Sequence, residues 1–299
     1  INMKKKILFF VTEDWYFISH RLKLARYLIY KGFEVIVCCK DTGNLEAIKK
    51  YKISHYHLNS KRKSLSLIQF FREIITIVKV VCKVKPQIVH LISMRPIIIG
   101  TIASLFVKSK FCATFTGMGF IFINKGLRGY VLRKLIINYL KIFTIFKNIF
   151  FVVQNKDDEN FFKKKINFRY KSLKVIRGSG IDLKDYKYTP EHIKKNIRLA
   201  YAGRILEDKG ILWLIKSFNK AKMEYPNLKL YIAGPIDEKN PTSLSKKYFK
   251  KLIKDKDIYY LGNIKNIKKF WKDSNIAILL SKREGLPLSL LEAAAMEDQ

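Results

Sequence analysis

The chain is short of acidic residues. Its 299 residues contain 24 Asp and Glu against 59 Lys and Arg, which gives a formal net charge of +35 at pH 7. A field of that sign attracts phosphates, nucleic acid or an anionic membrane surface. The lysines are spread along the whole chain, and Ile, Asn, Phe and Tyr are also abundant, so a bias toward AT-rich codons would explain much of the excess. The charge therefore indicates an anionic partner in general and not DNA in particular.

Cysteine is scarce as well, and no two cysteines have the spacing of metal ligands. The four are Cys38, Cys39, Cys82 and Cys112, and all lie within apolar runs. We therefore predict that they are small buried hydrophobic residues. This use of cysteine fits a reducing cytoplasm.

Long hydrophobic runs are also lacking, since no uninterrupted apolar run approaches the roughly 20 residues that span a bilayer. The nearest candidates, residues 67–84 and 131–153, are broken by Arg and Lys and predict amphipathic elements. Such an element packs under a domain surface or lies in the plane of anionic lipid, and both alternatives stay open here. No signal peptide is expected, because Met3-Lys4-Lys5-Lys6 leads directly into a short strand.

What the chain does have is a regular alternation of short buried strands with helices. The predicted strands of the first half begin with Ile7–Val11 and end with Leu173–Arg177. Those of the second half begin with Ile197–Ala202 and end with Ile276–Leu280. This alternation predicts the α/β class, with parallel, doubly wound sheets.

The alternation is interrupted once, at Gly178-Ser179-Gly180-Ile181-Asp182. We predict two Rossmann-like domains, residues 3–182 and 183–299, which face each other across a cleft where the strand ends of both sheets meet. The second domain has four predicted strands, and the chain stops within a helix that begins at Leu288. We therefore expect the second domain to be incomplete.

Two carboxylates follow the last predicted strand. Glu284 stands in the loop at the strand tip, and Glu292 lies about one turn into the following helix. Backbone N–H groups at the helix start, between them, would favour a bound phosphate. Carboxylates that accept hydrogen bonds from hydroxyl groups, placed on either side of an anion site, suit a nucleotide-sugar. An ordinary strand–turn–helix joint with two solvated glutamates is the alternative on spacing alone.

A basic pair follows the strand Ile197–Ala202. Gly203 allows a tight turn at the strand end. Arg204 and Lys209 can then reach one anionic group, the arginine as a fork and the lysine as a point charge. Such a pair arises easily by chance in so basic a protein, but its position at a strand tip favours a functional role.

The second-half motifs, taken in order, resemble the C-terminal domain of retaining glycosyltransferases of family 4, two-domain enzymes of the GT-B fold. They are Gly203-Arg204, Lys209-Gly210, Ala233-Gly234-Pro235, Leu261-Gly262-Asn263 and the pair Glu284 and Glu292. Three N-terminal segments are similar to a subgroup that assembles capsule, lipopolysaccharide and lipid-linked oligosaccharide, namely residues 17–22, 114–119 and 153–158. The resemblance covers essentially the whole chain.

The resemblance implies roles for individual residues. Arg204 and Lys209 would hold the diphosphate of the donor. Glu284 would hydrogen-bond the transferred sugar, and Glu292 would accept the ribose hydroxyls. The backbone near Ile264 would flank the base, and amides at the start of the last helix would meet phosphate or sugar oxygens. The implied donor-binding set is Gly203, Arg204, Lys209, Ile264, Glu284, Gly285, Leu286, Leu288 and Glu292.

The N-terminal half departs from the family pattern in two places. Trp15-Tyr16-Phe17 replaces a Gly-Gly turn, and Thr116-Gly117 stands where many members place a histidine. His20, at a predicted helix start, and His90, within a strand, are the possible substitutes. The alternative for His90 is a structural role, as a strand residue whose ring is hydrogen-bonded within the protein. The implied catalytic set is Glu284, Arg204, Lys209 and His20.

The resemblance implies a retaining hexosyltransferase that moves a hexose or N-acetylhexosamine from a UDP-sugar to a polyprenyl-diphosphate-linked acceptor. No metal or other cofactor is expected, because no Asp-x-Asp cluster stands at a strand end and fixed positive groups can stabilise the departing diphosphate. We expect a cytoplasmic protein, peripheral at the inner face of the cytoplasmic membrane, with residues 61–84 and 127–147 docking on anionic lipid. The alternatives are an inactive fragment of such an enzyme and a basic binding protein for membrane or nucleic acid. No nucleic-acid motif supports a specific nucleic-acid partner.

Overall fold

The structure is a computed structural model, which describes residues 4–59, 66–117, 126–145, 148–166, 173–188, 190, 195–238, 240, 242–282 and 284–296. The parts of the predicted segments at 61–65, 118–119 and 146–147 lie outside these residues. The chain divides into two compact units, residues 1–179 and 180–299. The boundary lies within the glycine-bearing segment 178–182.

The first unit is built on a seven-stranded sheet in which all neighbouring strands are parallel. The strand order is β3-β2-β1-β4-β5-β6-β7, so the direction of winding reverses between β1 and β4, as in a Rossmann fold. The strands are β1 (Lys6–Glu13), β2 (Glu34–Lys40), β3 (Ser54–His57), β4 (Ile88–Ile92), β5 (Lys110–Thr114), β6 (Ile149–Val153) and β7 (Leu173–Val175).

Helices cover both faces of this sheet, which is why β1 is apolar at successive positions. Leu8 and Phe10 point to one face, under helices α4 to α7, whereas Phe9 and Val11 point to the other, under α1 to α3. The helices are α1 (Asp14–His20), α2 (Leu22–Tyr30), α3 (Leu45–Lys49), α4 (Leu67–Val84), α5 (Met94–Ala103), α6 (Leu127–Phe143) and α7 (Lys156–Ile166).

The segment after β1 is helical. Helix α1 begins at Asp14, whose carboxylate accepts a hydrogen bond from the Trp15 amide at 2.6 Å. Phe17 is fully buried against Phe9 and fixes the helix on the sheet, so packing outweighs the modest helix propensity of three successive aromatic residues. His20 consequently ends α1, and it does not begin a helix as predicted.

The cysteines are not all buried. Cys38 and Cys39 of β2 are buried and Cys112 of β5 is partly buried, as their apolar surroundings predict. Cys82 is exposed, because it lies on the outer face of the amphipathic helix α4. Burial raises the pKa of the Cys38 thiol to about 12.

The second unit has a four-stranded parallel sheet in the order β10-β9-β8-β11, the same winding as the first four strands of the first unit. The strands are β8 (Ile197–Ala202), β9 (Leu228–Ala233), β10 (Ile258–Gly262) and β11 (Ile276–Ala277). The helices are α8 (Ile211–Glu224), α9 (Lys246–Leu252), α10 (Ile267–Lys272) and α11 (Leu288–Ala294). Single 3₁₀ turns occupy Leu183–Asp185 and Glu207–Lys209. β11 is shorter than the predicted strand, since only Ile276 and Ala277 pair with β8.

Candidate functional site

Three glycines form the turns at the carboxyl ends of β8, β9 and β10. The Gly203 amide donates to the Ala233 carbonyl at 2.9 Å, and the Gly234 amide donates to the Gly262 carbonyl at 2.7 Å. Gly234 has a φ of +137°, and a Cβ placed there would lie 1.9 Å from the Gly203 carbonyl oxygen. Only main chain therefore fits where the Gly203 and Gly234 turns meet, so this part of the sheet edge is built from backbone.

Arg204 follows the first of these turns. Its carbonyl accepts a hydrogen bond from the Tyr201 hydroxyl at 2.8 Å. Burial raises the pKa of Tyr201, and the nearby carboxylates of Glu284 and Asp208 raise it further, so the phenol stays a donor. The Arg204 guanidinium lies 3.6 Å from the Asp237 carboxylate and keeps 36% of its side chain exposed. The main chain of Arg204 is therefore fixed while its charge remains accessible.

Lys209 and Glu284 are brought into contact. The Lys209 Nζ lies 2.5 Å from the Glu284 Oε1, and about a quarter of each side chain is exposed, 25% and 23%. Gly210 makes the contact possible, because with a φ of +77° it lies against the Leu280 carbonyl, where a Cβ would be 1.9 Å from the oxygen. The Lys282 amide also donates to the Asp208 carbonyl at 3.0 Å. The two predicted strand-tip clusters thus form one ion pair.

Glu292 is held by two aromatic side chains that the sequence did not single out. The Trp271 Nε1 lies 3.4 Å from the Glu292 Oε2, and the Tyr186 hydroxyl lies beside the same carboxylate. Burial, followed by the negative charge of Glu292, raises the pKa of Tyr186. Trp271 is buried in a small cluster against which Ile264 also packs. The carboxylate is therefore oriented by its neighbours.

The remaining predicted donor contacts lie where the last helix begins. Gly285 and Leu286 lie in the turn before α11 and are partly buried. Helix α11 begins at Leu288 after Pro287, and no side chain of the described residues caps its start. Their roles in donor binding stay a prediction.

The two candidate histidines lie in the first unit and differ in environment. The His90 Nε2 is 2.8 Å from the Thr114 Oγ1, and burial together with the positive charge of Arg21 lowers the pKa of His90 to about 3. His90 is therefore a neutral, hydrogen-bonded strand residue. His20 stacks on Tyr16, with ring centroids 4.2 Å apart, and its Nδ1 lies 2.6 Å from the Ser19 Oγ. A catalytic role for His20 stays a prediction.

No three His, Cys, Asp or Glu side chains among the described residues are grouped so that they could hold a metal ion. Within the same residues, every helix is too short or too polar to cross a bilayer.

Family models match most of the chain. A glycosyl transferase 4-like model matches residues 6–148, and the model of glycosyl transferases group 1 matches residues 185–297. Both models describe glycosyl transferases, so the chain belongs to the glycosyltransferases. The second match includes every predicted donor-site residue of this glycosyltransferase, from Gly203 to Glu292.

Named relatives agree with this assignment. An uncharacterised glycosyltransferase of Methanocaldococcus jannaschii is 29% identical over 83% of this chain and 63% of its own length. The N,N'-diacetylbacillosaminyl-diphospho-undecaprenol α-1,3-N-acetylgalactosaminyltransferase of Campylobacter jejuni is 24% identical over 92% of this chain and 74% of its own. This glycosyltransferase chain thus spans less than two thirds of the length of the first relative.

A solved structure shows the same fold. Anabaena HepE, crystallised with UDP and glucose, superposes with a TM-score of 0.73 at 16% identity, over 98% of this chain and 78% of HepE. The predicted fold, two Rossmann-like domains of the GT-B type, is therefore confirmed.

Proposed function

We propose that this glycosyltransferase moves a hexose or N-acetylhexosamine, with retention, from a UDP-sugar to a lipid-linked sugar acceptor. The observation that carries the proposal is the Lys209–Glu284 ion pair, which lies in the unit that also carries the exposed charge of Arg204. The UDP and glucose bound to HepE support the kind of donor. The diphospho-undecaprenol acceptor in the name of the Campylobacter relative supports the kind of acceptor.

The chemistry follows from where charge develops. Cleavage of the bond between the sugar and the diphosphate leaves negative charge on the departing phosphate, and fixed positive groups stabilise that charge most in the transition state. Arg204 and Lys209 supply those groups. Glu284, which holds Lys209 in the free protein, accepts hydrogen bonds from hydroxyls of the sugar. Glu292, oriented by Trp271, accepts those of the ribose.

The donor site is tested by UDP binding. Arg204→Met removes a charge-assisted contact worth about 1.5–3 kcal/mol, so UDP affinity measured by calorimetry should fall about 10- to 100-fold. Lys216→Met is the matched control, because Lys216 is an exposed cation on α8 of the same unit. Its affinity should equal that of the unaltered protein. Wild-type protein that binds duplex DNA with a steep salt dependence but does not bind UDP would refute the proposal.

Because a lipid-linked acceptor lies in a membrane, the proposed function includes peripheral docking of the protein at the inner face of the cytoplasmic membrane. Helices α4 and α6 cover the same face of the seven-stranded sheet and expose large apolar side chains on their outer surfaces. The most exposed are Leu67, Ile68, Phe71 and Ile75 of α4, and Leu127, Tyr130, Leu135 and Ile142 of α6. Basic residues lie beside them, including Arg72, Lys79 and Lys83. Each adds about 1 kcal/mol of attraction near anionic lipid.

Phe71→Glu tests this surface. The change replaces an exposed apolar side chain, which would enter the lipid interface, with a negative charge, so sedimentation with anionic phospholipid vesicles should weaken several-fold. Tyr30→Glu is the control, because Tyr30 is exposed at the end of α2, on the other side of the sheet. Equal loss in both variants would show that net charge alone drives the association and that the α4 surface does not.

A further inference from the structure

Arg21, between α1 and α2, is a buried cation whose hydrogen bonding is incomplete. Its side chain is only 6% exposed. The Nη1 donates to the Ser179 Oγ at 3.1 Å and, at 3.4 Å, to the His20 carbonyl. The Nε is fully buried and has no hydrogen-bond partner. No carboxylate of the described residues forms an ion pair with Arg21.

A charge in this position is costly to the free protein. Burial holds the pKa of Arg21 below its usual value, yet a guanidinium remains protonated. Removing such a group from water disfavours folding unless a partner compensates. The charge of Arg198, whose Nε is also buried without a partner, is compensated by an aromatic ring. Its Cζ lies 3.6 Å from the ring centroid of Tyr231, which is a cation–π contact. No ring face covers Arg21 in this way within the described chain.

The surroundings of Arg21 are polar but carry no negative charge. The guanidinium lies near His90 and Cys112, a cross-strand pair of β4 and β5, and its charge acts to lower the pKa values of both. His90 is neutral and is hydrogen-bonded to Thr114. Hydroxyl and imidazole groups therefore surround a full positive charge, which is the electrostatic character of an anion site.

The Nη2 of Arg21 remains available to a ligand. The Nε is enclosed by protein atoms, whereas Nη2 is not among the fully buried unpaired atoms, and no described residue accepts a hydrogen bond from it. Hydrogen bonds from an arginine to phosphate or carboxylate oxygens are charge-assisted and strong. The Nη2 can thus donate to a ligand oxygen without breaking a contact within the protein.

We propose that Arg21 binds an oxyanion through its Nη2, and that the ligand is the diphosphate of a prenyl-linked acceptor. The choice of acceptor rests on the proposed function. The site lies in the first unit, whereas Arg204 and Lys209, the cations of the proposed donor site, lie in the second. The chain would then carry two diphosphate sites with separate arginines.

Calorimetry with two diphosphates tests this assignment on the full chain. Arg21→Met should weaken the binding of farnesyl diphosphate at least 10-fold and leave UDP affinity unchanged. Arg204→Met should weaken the binding of UDP and leave the affinity for farnesyl diphosphate unchanged. Farnesol, which has the same prenyl chain and no phosphate, should bind Arg21→Met and the unaltered protein equally. Arg26→Met, an exposed position on α2, should change neither diphosphate affinity.

Stability provides a second readout that a purely structural arginine would not give. Because Met fills the space of Arg21 without a buried charge, the urea midpoint of ligand-free Arg21→Met should equal or exceed that of the unaltered protein. Unchanged farnesyl diphosphate affinity in folded Arg21→Met would overturn the inference. If that variant does not fold, unchanged affinity in Arg21→Lys, which keeps the charge but lacks the Nη2 donor, would do so. Failure of the unaltered protein to bind UDP would instead refute the proposed donor.

Discussion

Gly210→Ala is the change for which the structure makes the sharpest stability prediction. Gly210 joins the turn that carries Lys209 to helix α8, and it has a φ of +77°. A Cβ there would lie 1.9 Å from the Leu280 carbonyl oxygen and 2.5 Å from its carbon. Both atoms belong to the main chain of the segment that leads to Glu284, so no side-chain rotation relieves the overlap.

Two costs add at this position. The left-handed conformation costs a residue with a Cβ about 1–2 kcal/mol. Nonbonded carbon and oxygen atoms pack at about 3.5 Å, so the two segments must also move apart by more than about 1 Å, and overpacking of this kind costs about 1–3 kcal/mol. The free energy of unfolding should therefore fall by about 2–5 kcal/mol. Because a displacement of about 1 Å separates Lys209 from Glu284, sugar transfer should slow by about 100-fold.

Gly262→Ala is the matched control in the same unit. Gly262 also has a left-handed φ, +64°, but no atom lies within 4 Å of a Cβ built there. Its substitution should therefore cost only the conformational part, about 1–2 kcal/mol. Urea denaturation of both variants measures the difference. If both variants lose the same free energy of unfolding, the close approach of Gly210 to the Leu280 carbonyl adds no cost, and the reasoning is refuted.

Two further predictions concern buried carboxylates of the first unit. Burial alone would raise the pKa of Asp14, but hydrogen bonds from Thr42, Asn44 and Trp15 hold that pKa below the usual 3.8. The ionised Asp14 side chain therefore contributes to stability above about pH 4, and this contribution is lost at lower pH. Asp14→Asn should lower stability at pH 7 by about 1–3 kcal/mol and flatten its fall in acid, which urea denaturation across pH 3–7 measures. Arg95→Met should cost about 3–5 kcal/mol in the same assay, because Glu73, bound at 2.9 and 3.0 Å, would stay buried without its cation. Full stability of either variant would contradict the inferred contact.

Much of the fold could be predicted because strands buried on both faces leave continuous apolar runs. Ile197–Ala202, for example, was predicted with the bounds that β8 has in the structure. The errors occur where tertiary contacts outweigh local pattern. Helix α1 depends on the burial of Phe17, and β11 ends after Ala277 although the apolar run continues.

The site was predicted as separate strand-tip motifs, and their arrangement was not predictable. Lys209 and Glu284 are 75 residues apart, and they meet because β11 pairs with β8. Tyr186 and Trp271, which hold Glu292, carry no periodic or motif signal. The incomplete hydrogen bonding of Arg21 likewise becomes visible only when its neighbours are known.

The glycine turns after β8, β9 and β10 have a consequence for how this protein can change during evolution. A surface made of main chain has the same hydrogen-bonding groups whatever side chains surround it. Neighbouring residues can therefore drift without altering the edge, provided that Gly203 and Gly234 keep their close contact. If the proposed nucleotide site lies at this edge, we expect nucleotide recognition to outlast changes in sugar or acceptor preference, because those depend on side chains that can be exchanged one at a time.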